Sequence, residues 1–435
     1  MNESGFHVLV IGAGPAGTAA AIRAARKGLK VALVERADFP RDLPGEALHP
    51  DVEPLLIQLG VADAISDCGF IRYPGWILER SGERNFIPFI DASGRVLFGY
   101  QAWRASLDST LLAQASRLGV QVFQPARVLD VSIRAGRVAG LRVDSRELAG
   151  RYVIDATGSR QWLARKLGLQ VRTVSPGLIA RYAYFAEDPG LGVIPVFREE
   201  PGGWTWMARV KTDCCQYVHL SLSEGSDAPV PFAPRWLDGV QPISRPRGAD
   251  VTWRIVPECA GAGYFLCGDA AATLDPAASS GVARALAAGI KAADLIAEVA
   301  AGGIDETEAA SEYRSWLVDE FTAQACALGE RYAGLENPPL WLGALQENLA
   351  SLQTDGYDAK YASAFRGKGL LKMAQTNLAA LTKAGVIPKD YKHLTAAEKT
   401  AIEKLSSAEV EAIISARTKL GDEFFSRHAS HGMLY

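Results

Sequence analysis

Glycines 12, 14 and 17 form Gly12-x-Gly14-x-x-Gly17, directly after the apolar run His7–Ile11 and before an alanine-rich stretch reaching Lys27. That order of strand, glycine turn and helix is the chemistry of phosphate binding. Gly12 permits a tight turn, Gly14 lets the backbone approach a pyrophosphate, and Gly17 lets helix and strand pack closely. Ala13, Pro15 and Ala16 complete the turn, and the helix N-terminus offers free N–H groups to an anion. Lys30–Val34 reads as the second strand and ends at Glu35, roughly 20 residues beyond the glycines. A carboxylate there accepts hydrogen bonds from a ribose diol and disfavours a 2′-phosphate, which argues against NADP in this site.

A second constellation lies far along the chain. The apolar strand Tyr264–Cys267 runs into Gly268-Asp269, then Asp275-Pro276, Ser279-Ser280-Gly281-Val282 and a long alanine-rich helix. An aspartate at such a strand end can bind a polyol hydroxyl. The small residues from Ser279 to Ala283 bring backbone N–H groups and a helix N-terminus close to a ligand, where they stabilise negative charge on a reduced isoalloxazine. The first motif alone suggests a dinucleotide; the pair suggests FAD. Asp155-Ala156-Thr157-Gly158 adds a small-residue turn at a strand end, where a ligand can approach.

A parallel sheet has to hold these motifs at one edge. The chain therefore reads as α/β, with a Rossmann-like FAD-binding domain assembled from residues 1–74, 99–170 and 257–304. Its further elements are a helix over Ser106–Leu118 and strands over 120–123, 127–133, 137–143 and 152–154. Residues 75–98 and 171–256 are rich in aromatic and β-branched types, with turn signals such as Pro201-Gly202. They read as an antiparallel-sheet substrate domain over the flavin. Most of its rings pack a core, while Trp204 and Trp206 are candidates for a substrate pocket. From Asp305 helix formers dominate. Thr395-x-x-Glu398 and Ser406-x-x-Glu409 are capping boxes, and 305–435 reads as a C-terminal helical domain whose lysines, Lys399 and Lys404 among them, read as solvated faces, with a docking patch for a protein substrate as the other choice.

At 435 residues the chain is long for one core. With 48% hydrophobic and 22% charged residues and a net charge of −3, it has an ordinary enzyme composition and no electrostatic case for nucleic acid or an anionic membrane. No apolar run reaches the ~18 residues of a membrane span. A strand begins too early for a signal peptide, so a cytoplasmic location is expected. Six cysteines form no C-x-x-C pair, and no metal site is expected.

On these motifs the chain resembles FAD-dependent monooxygenases of the p-hydroxybenzoate hydroxylase type. The matching parts are the loop Gly12–Gly17, Arg104 in Arg104-x-x-Leu107-Asp108, and Gly268-Asp269. The resemblance implies that Gly12, Ala13, Gly14, Pro15, Ala16, Gly17, Arg104, Gly158, Gly268 and Pro276 border the cofactor. It further implies Glu35 and Arg36 at the adenosine ribose, Val128 meeting the adenine through its backbone, and Asp269 at the ribityl chain. Gly281, Val282 and Ala283 would cover the pyrimidine end of the flavin. Gly45-Glu46-Ala47-Leu48-His49-Pro50 is similar to the G-E-S-x-x-P segment of tryptophan halogenases and geranylgeranyl reductases, and Asp275-Pro-x-x-Ser-Ser-Gly-Val is similar to that branch. Gly203-Trp204-x-Trp206 resembles the start of the halogenase W-x-W-x-I-P motif, but Met207-Ala208-Arg209 follows. Halogenases also use a lysine some tens of residues after the G-E-S segment, and no lysine occurs from Val31 to Arg165. This argues for hydroxylation over halogenation. The same branch includes flavoproteins that act on tryptophan residues in tryptophylquinone cofactor biogenesis. That implies an indole ring in a peptide or protein as substrate, with an aromatic small molecule as the other choice.

A single dinucleotide fingerprint leaves reduction to NAD(P)H visiting transiently or to a partner reductase. Reduced flavin and oxygen would give a C4a-hydroperoxide that transfers OH to an electron-rich ring. Glu46 could orient the ring or relay a proton, and His49 could act as an acid/base near neutral pH. The competing readings are a reductase of isoprenoid double bonds, which takes up no oxygen productively, and a flavin-bearing assembly factor without turnover.

Overall fold

Val8, Leu9, Val10 and Ile11 are all buried, the pattern of a strand covered on both faces in a parallel sheet. In the computed structural model, which describes residues 5–41, 46–91, 94–186, 192–222, 242–243 and 245–352, this strand (Phe6–Ile11) is central. Val31–Val34 and Gln121–Phe123 lie to one side, Arg146–Asp155 and Tyr264–Leu266 to the other, all parallel. Ile11 is level with Asp155 and Asp155 with Leu266. The ends of the two motif-bearing strands are thus separated by one strand. The Asp155 strand begins earlier than its buried part suggests, because its first half pairs antiparallel with Arg137–Val143.

Helices Pro15–Arg26 and Gly281–Ala300 pack directly on one another. The approach is very close: a Cβ on Gly289 would lie 2.2 Å from the Ala16 carbonyl oxygen. This explains why both stretches are rich in alanine and glycine. Arg23 locks the pair through Asp294 at 2.7 Å.

The second layer is a seven-stranded sheet in the order Arg247–Asp250, Ile179–Phe185, Cys214–Ser221, Gly203–Lys211, Val196–Glu200, Gly75–Arg80, Glu83–Pro88. It is antiparallel except where Val196–Glu200 runs parallel to Gly75–Arg80. That exception to the expected antiparallel sheet arises where the two separated sequence segments join. A small antiparallel sheet of Glu46–Leu48, Gly99–Ala102 and Ile71–Tyr73 stands beside it.

Among the described residues beyond 305 the chain forms two helices, Glu306–Ala333 and Leu342–Leu352. The change of composition at 305 is not a break in packing. Asp305 caps the first helix by accepting from Glu308 N–H at 2.8 Å, and Glu306 accepts from Gly263 N–H at 2.7 Å and pairs with Arg137. Tyr313 OH donates to the Leu266 carbonyl at 2.8 Å, and Trp341 Nε1 donates to that of Leu222 at 3.1 Å. Residues 305–352 therefore belong to the same compact body as the sheets. The expected capping boxes and tail lysines lie outside the described residues. Among the described residues, no helix is long and apolar enough to cross a membrane.

Candidate active site

Gly12 has φ of +98°, a conformation that other residues rarely adopt. A Cβ on Gly17 would lie 1.9 Å from the Gly12 carbonyl oxygen. Gly14 differs: the nearest atom to a Cβ there is Arg41 Nη2, at 3.8 Å, so the loop borders open space. No side chain caps the following helix, leaving first-turn N–H groups for an anion. Arg41 Nε is also buried without an acceptor. A pyrophosphate supplies what these donors lack. Glu35 is only 4% exposed. Its carboxylate accepts from Ala13 N–H and Ala37 N–H, each at 2.9 Å, bracing the turn with lone pairs left for a ribose diol. Arg36 is exposed; burial of part of its guanidinium, with Arg160, Arg127 and Arg41 nearby, holds it below the ordinary arginine value. Val128 opens a strand, and Gly158 opens a short turn after Asp155.

The second motif presents complementary groups. Asp269 is exposed in the turn Gly268–Ala270. Gly281, Val282 and Ala283 form the uncapped first turn of their helix. Pro276 starts the turn Pro276–Ala278, capped by Asp275 accepting from Ala277 N–H at 3.0 Å. A polyol, a diphosphate and a flavin edge fit this set of donors and acceptors.

A run of alternating charges borders the first motif. Arg41 lies 3.4 Å from Glu35 and donates to Asp108 at 2.7 Å. Arg104 grips Asp108 through two bonds of 2.9 and 3.1 Å and donates to Glu46 at 3.0 Å. Burial disfavours the Arg104 charge, but Asp108 and Glu46 outweigh it and raise its pKa. Burial pushes the Glu46 carboxyl up, Arg104 opposes this, and Asp269 and Asp108 add to the rise. Glu46 is thus tied to Arg104 rather than standing in the cavity wall.

The cavity itself has a volume of about 590 Å³ and lies between the seven-stranded sheet and the Ala277–Ser279 turn. Tyr73, Trp76, Phe89, Phe197 and Trp206 supply aromatic wall, and His49 and Arg331 supply polar groups. His49 Nδ1 is 3.0 Å from an Asp51 carboxylate oxygen, and its ring meets Phe89 edge-on at 4.7 Å. Of the expected pocket tryptophans, Trp206 lines the cavity and Trp204 does not. Trp204 is buried, stacked on Phe197 at 5.4 Å, and donates to Tyr332 OH at 2.9 Å. The two share a sheet face, but Tyr332 covers the first. Tyr332 OH also donates to Asp275 at 2.7 Å, and Trp253 Nε1 donates to its other oxygen at 2.7 Å. This network fixes the turn that forms one wall. Burial pushes the Asp275 carboxyl up against the pull of these donors. Arg331 and Tyr332 were not among the expected site residues; helical periodicity marks a buried face without naming what it touches.

Residues 6–170 match the family described as pyridine nucleotide-disulphide oxidoreductase. A tryptophan 2-halogenase of Chondromyces crocatus is 27% identical over 76% of this chain and 68% of its own length. The chain is an FAD-dependent oxidoreductase. A 1H-pyrrole-2-carbonyl-(peptidyl-carrier protein) brominase of Pseudoalteromonas luteoviolacea is 28% identical, over 72% of this chain and 82% of its own. In fold, the oxidoreductase is similar to a myxobacterial chondrochloren halogenase, with a TM-score of 0.70 at 21% identity, over 94% of this chain and 96% of that one.

Proposed function

We propose that this oxidoreductase hydroxylates an electron-rich aromatic ring, such as indole, held in the cavity. The observation that carries the proposal is the aromatic wall of Tyr73, Trp76, Phe89, Phe197 and Trp206 facing the Ala277–Ser279 turn, just ahead of the helix start expected to meet the flavin. FAD, held by the two glycine motifs with Glu35, Arg36, Arg104, Val128, Gly158 and Asp269, supplies oxygen activation when reduced by NAD(P)H or a partner reductase. The rings orient the substrate by stacking and exclude water. His49, in the cavity wall with Nδ1 accepting from Asp51 N–H at 3.3 Å, is the imidazole placed to take up a proton released by the ring. Arg104 holds Glu46 in place at the edge of the cleft.

The named relatives are halogenases, and aromatic substrates are common ground with them. Against halogenation stands the absence of any lysine from Val31 to Arg165 and of the Ile-Pro after Trp206. A tryptophan residue maturing into a tryptophylquinone is one form such a ring could take, and that form rests on the sequence resemblance alone. The test is turnover of the reduced FAD protein under oxygen-18 with indole or tryptophan and with chloride and bromide present. One labelled oxygen in the product is expected. A halogenated product overturns hydroxylation. Productive hydride transfer to an isoprenoid double bond without oxygen uptake establishes the reductase alternative instead.

A further inference from the structure

Arg331 is the charged group of the cavity that no carboxylate among the described residues neutralises. It reaches the wall from the end of helix Glu306–Ala333, and one Nη donates to the Ala277 carbonyl at 3.0 Å. Its guanidinium lies 5.5 Å from the Trp76 ring centroid and 5.6 Å from that of Phe197, so the side chain is fixed in place. Among the described residues it meets no carboxylate at ion-pair distance, whereas Arg72, Arg80, Arg95 and Arg198 nearby in the fold all do. The two acids that border the same cavity are engaged elsewhere. Asp51 pairs with His49 at 3.0 Å, and Asp91 accepts from Arg95 N–H and Nε, each at 3.0 Å. The indole N–H of Trp206, in the same wall, is buried without an acceptor. An arginine placed against aromatic rings loses hydration, and a planar anion restores what it lost through paired charge-assisted bonds.

We propose that the cavity selects an aromatic substrate bearing a carboxylate, and that Arg331 is the specificity residue that reads it. The inference rests on the aromatic-ring reading of this cavity. It narrows the substrate from any electron-rich ring to a small aromatic acid.

The full-length FAD protein is titrated with indole-3-acetate and its neutral near-isostere indole-3-acetamide, and with the phenylacetate and phenylacetamide pair, following flavin absorbance and tryptophan fluorescence. The acids are expected to bind at least tenfold more tightly than the amides, with the preference shrinking as salt is raised. Arg331→Gln should abolish the preference while FAD content stays within about twofold, which also shows that the variant is folded. Arg331→Lys should keep part of it, since charge remains but the planar fork is lost. Equal affinity for acid and amide, or a preference that survives Arg331→Gln, overturns Arg331 selection and leaves the aromatic cavity standing. Binding by no member of either pair overturns the aromatic reading together with it.

Discussion

At the scale of single residues, the site combines exposed ligand-ready groups with fully buried anchors, and substitutions should separate the two. Asp269 is exposed at a strand end and ties down no described element. Asp269→Ala should therefore weaken FAD binding by roughly 1.5–3 kcal/mol, the worth of charge-assisted hydrogen bonds to hydroxyls, with little change in melting temperature. Fluorescence titration of the apoprotein with FAD measures it, and unchanged affinity counts against the ribityl assignment. Asp275 is the opposite case, buried and held by Ala277, Tyr332 and Trp253. Asp275→Asn puts a donor where an acceptor is needed and should cost about 1–3 kcal/mol at neutral pH. Because burial raises the Asp275 pKa from its ordinary 3.8, the folded chain binds that proton more tightly than the unfolded chain. The group's contribution to stability rises as pH falls through the folded pKa and levels off below the unfolded one. The gap between wild type and Asp275→Asn in urea unfolding should thus widen on acidification towards that value. A gap that narrows would show the donors, not burial, in control.

At the scale of elements, the decisive contact is between the two motif helices. Gly289 sits against the backbone of Ala16 and Ala20, where a Cβ would come within 2.2 and 2.9 Å. Gly289→Val should push the helices apart, costing at least ~1–3 kcal/mol by overpacking and lowering FAD occupancy along with stability. Thermal unfolding and flavin-to-protein absorbance report both; retained FAD with an unchanged melting point would show that the interface yields. The sequence assigns both motifs to one nucleotide site, but the packing of their helices on one another emerges only from the fold. The sequence places the start of the helix Arg104–Arg117 at Ser106, two residues late, because Trp103 precedes it and offers no capping group. Trp204 and Trp206 were legible as one sheet face, but not the covering of one and exposure of the other to a cavity. That difference comes from Tyr332, far along the chain. The apolar stripe Tyr313, Leu317, Phe321, Leu328 and Tyr332 states that one face of its helix is buried. A periodic stripe carries no address for its partner, so the sequence does not assign Arg331 to the cavity.

At the scale of the whole molecule, the cleft and the cavity need three parts of the chain together: the parallel sheet with its two motifs, the aromatic sheet, and the helix after 305. All cleft and cavity residues lie within the compact unit Met1–Gly356. A chain ending at Gly356 should therefore retain FAD and melt cooperatively. A chain ending at Ile304 should not, although it keeps both glycine motifs and Arg104. It loses Tyr313 from the Leu266 carbonyl, Tyr332 from Asp275 and Trp204, and Trp341 from its edge-on contact with Trp253. Each large side chain withdrawn from the core is worth roughly 1.5–3 kcal/mol, and three together rival a domain's whole stability of about 5–15 kcal/mol. Two polar groups, the Trp204 N–H and the Asp275 carboxylate, also lose a partner, which adds to the cost. FAD content and circular-dichroism melting of the two truncations decide the matter. If the shorter chain still binds FAD and melts cooperatively, the helix after 305 only shields surface. If the longer one loses FAD, residues 357–435 take part in building the cleft. With the shorter chain empty and the longer one loaded, the helix after 305 is a structural wall of the site.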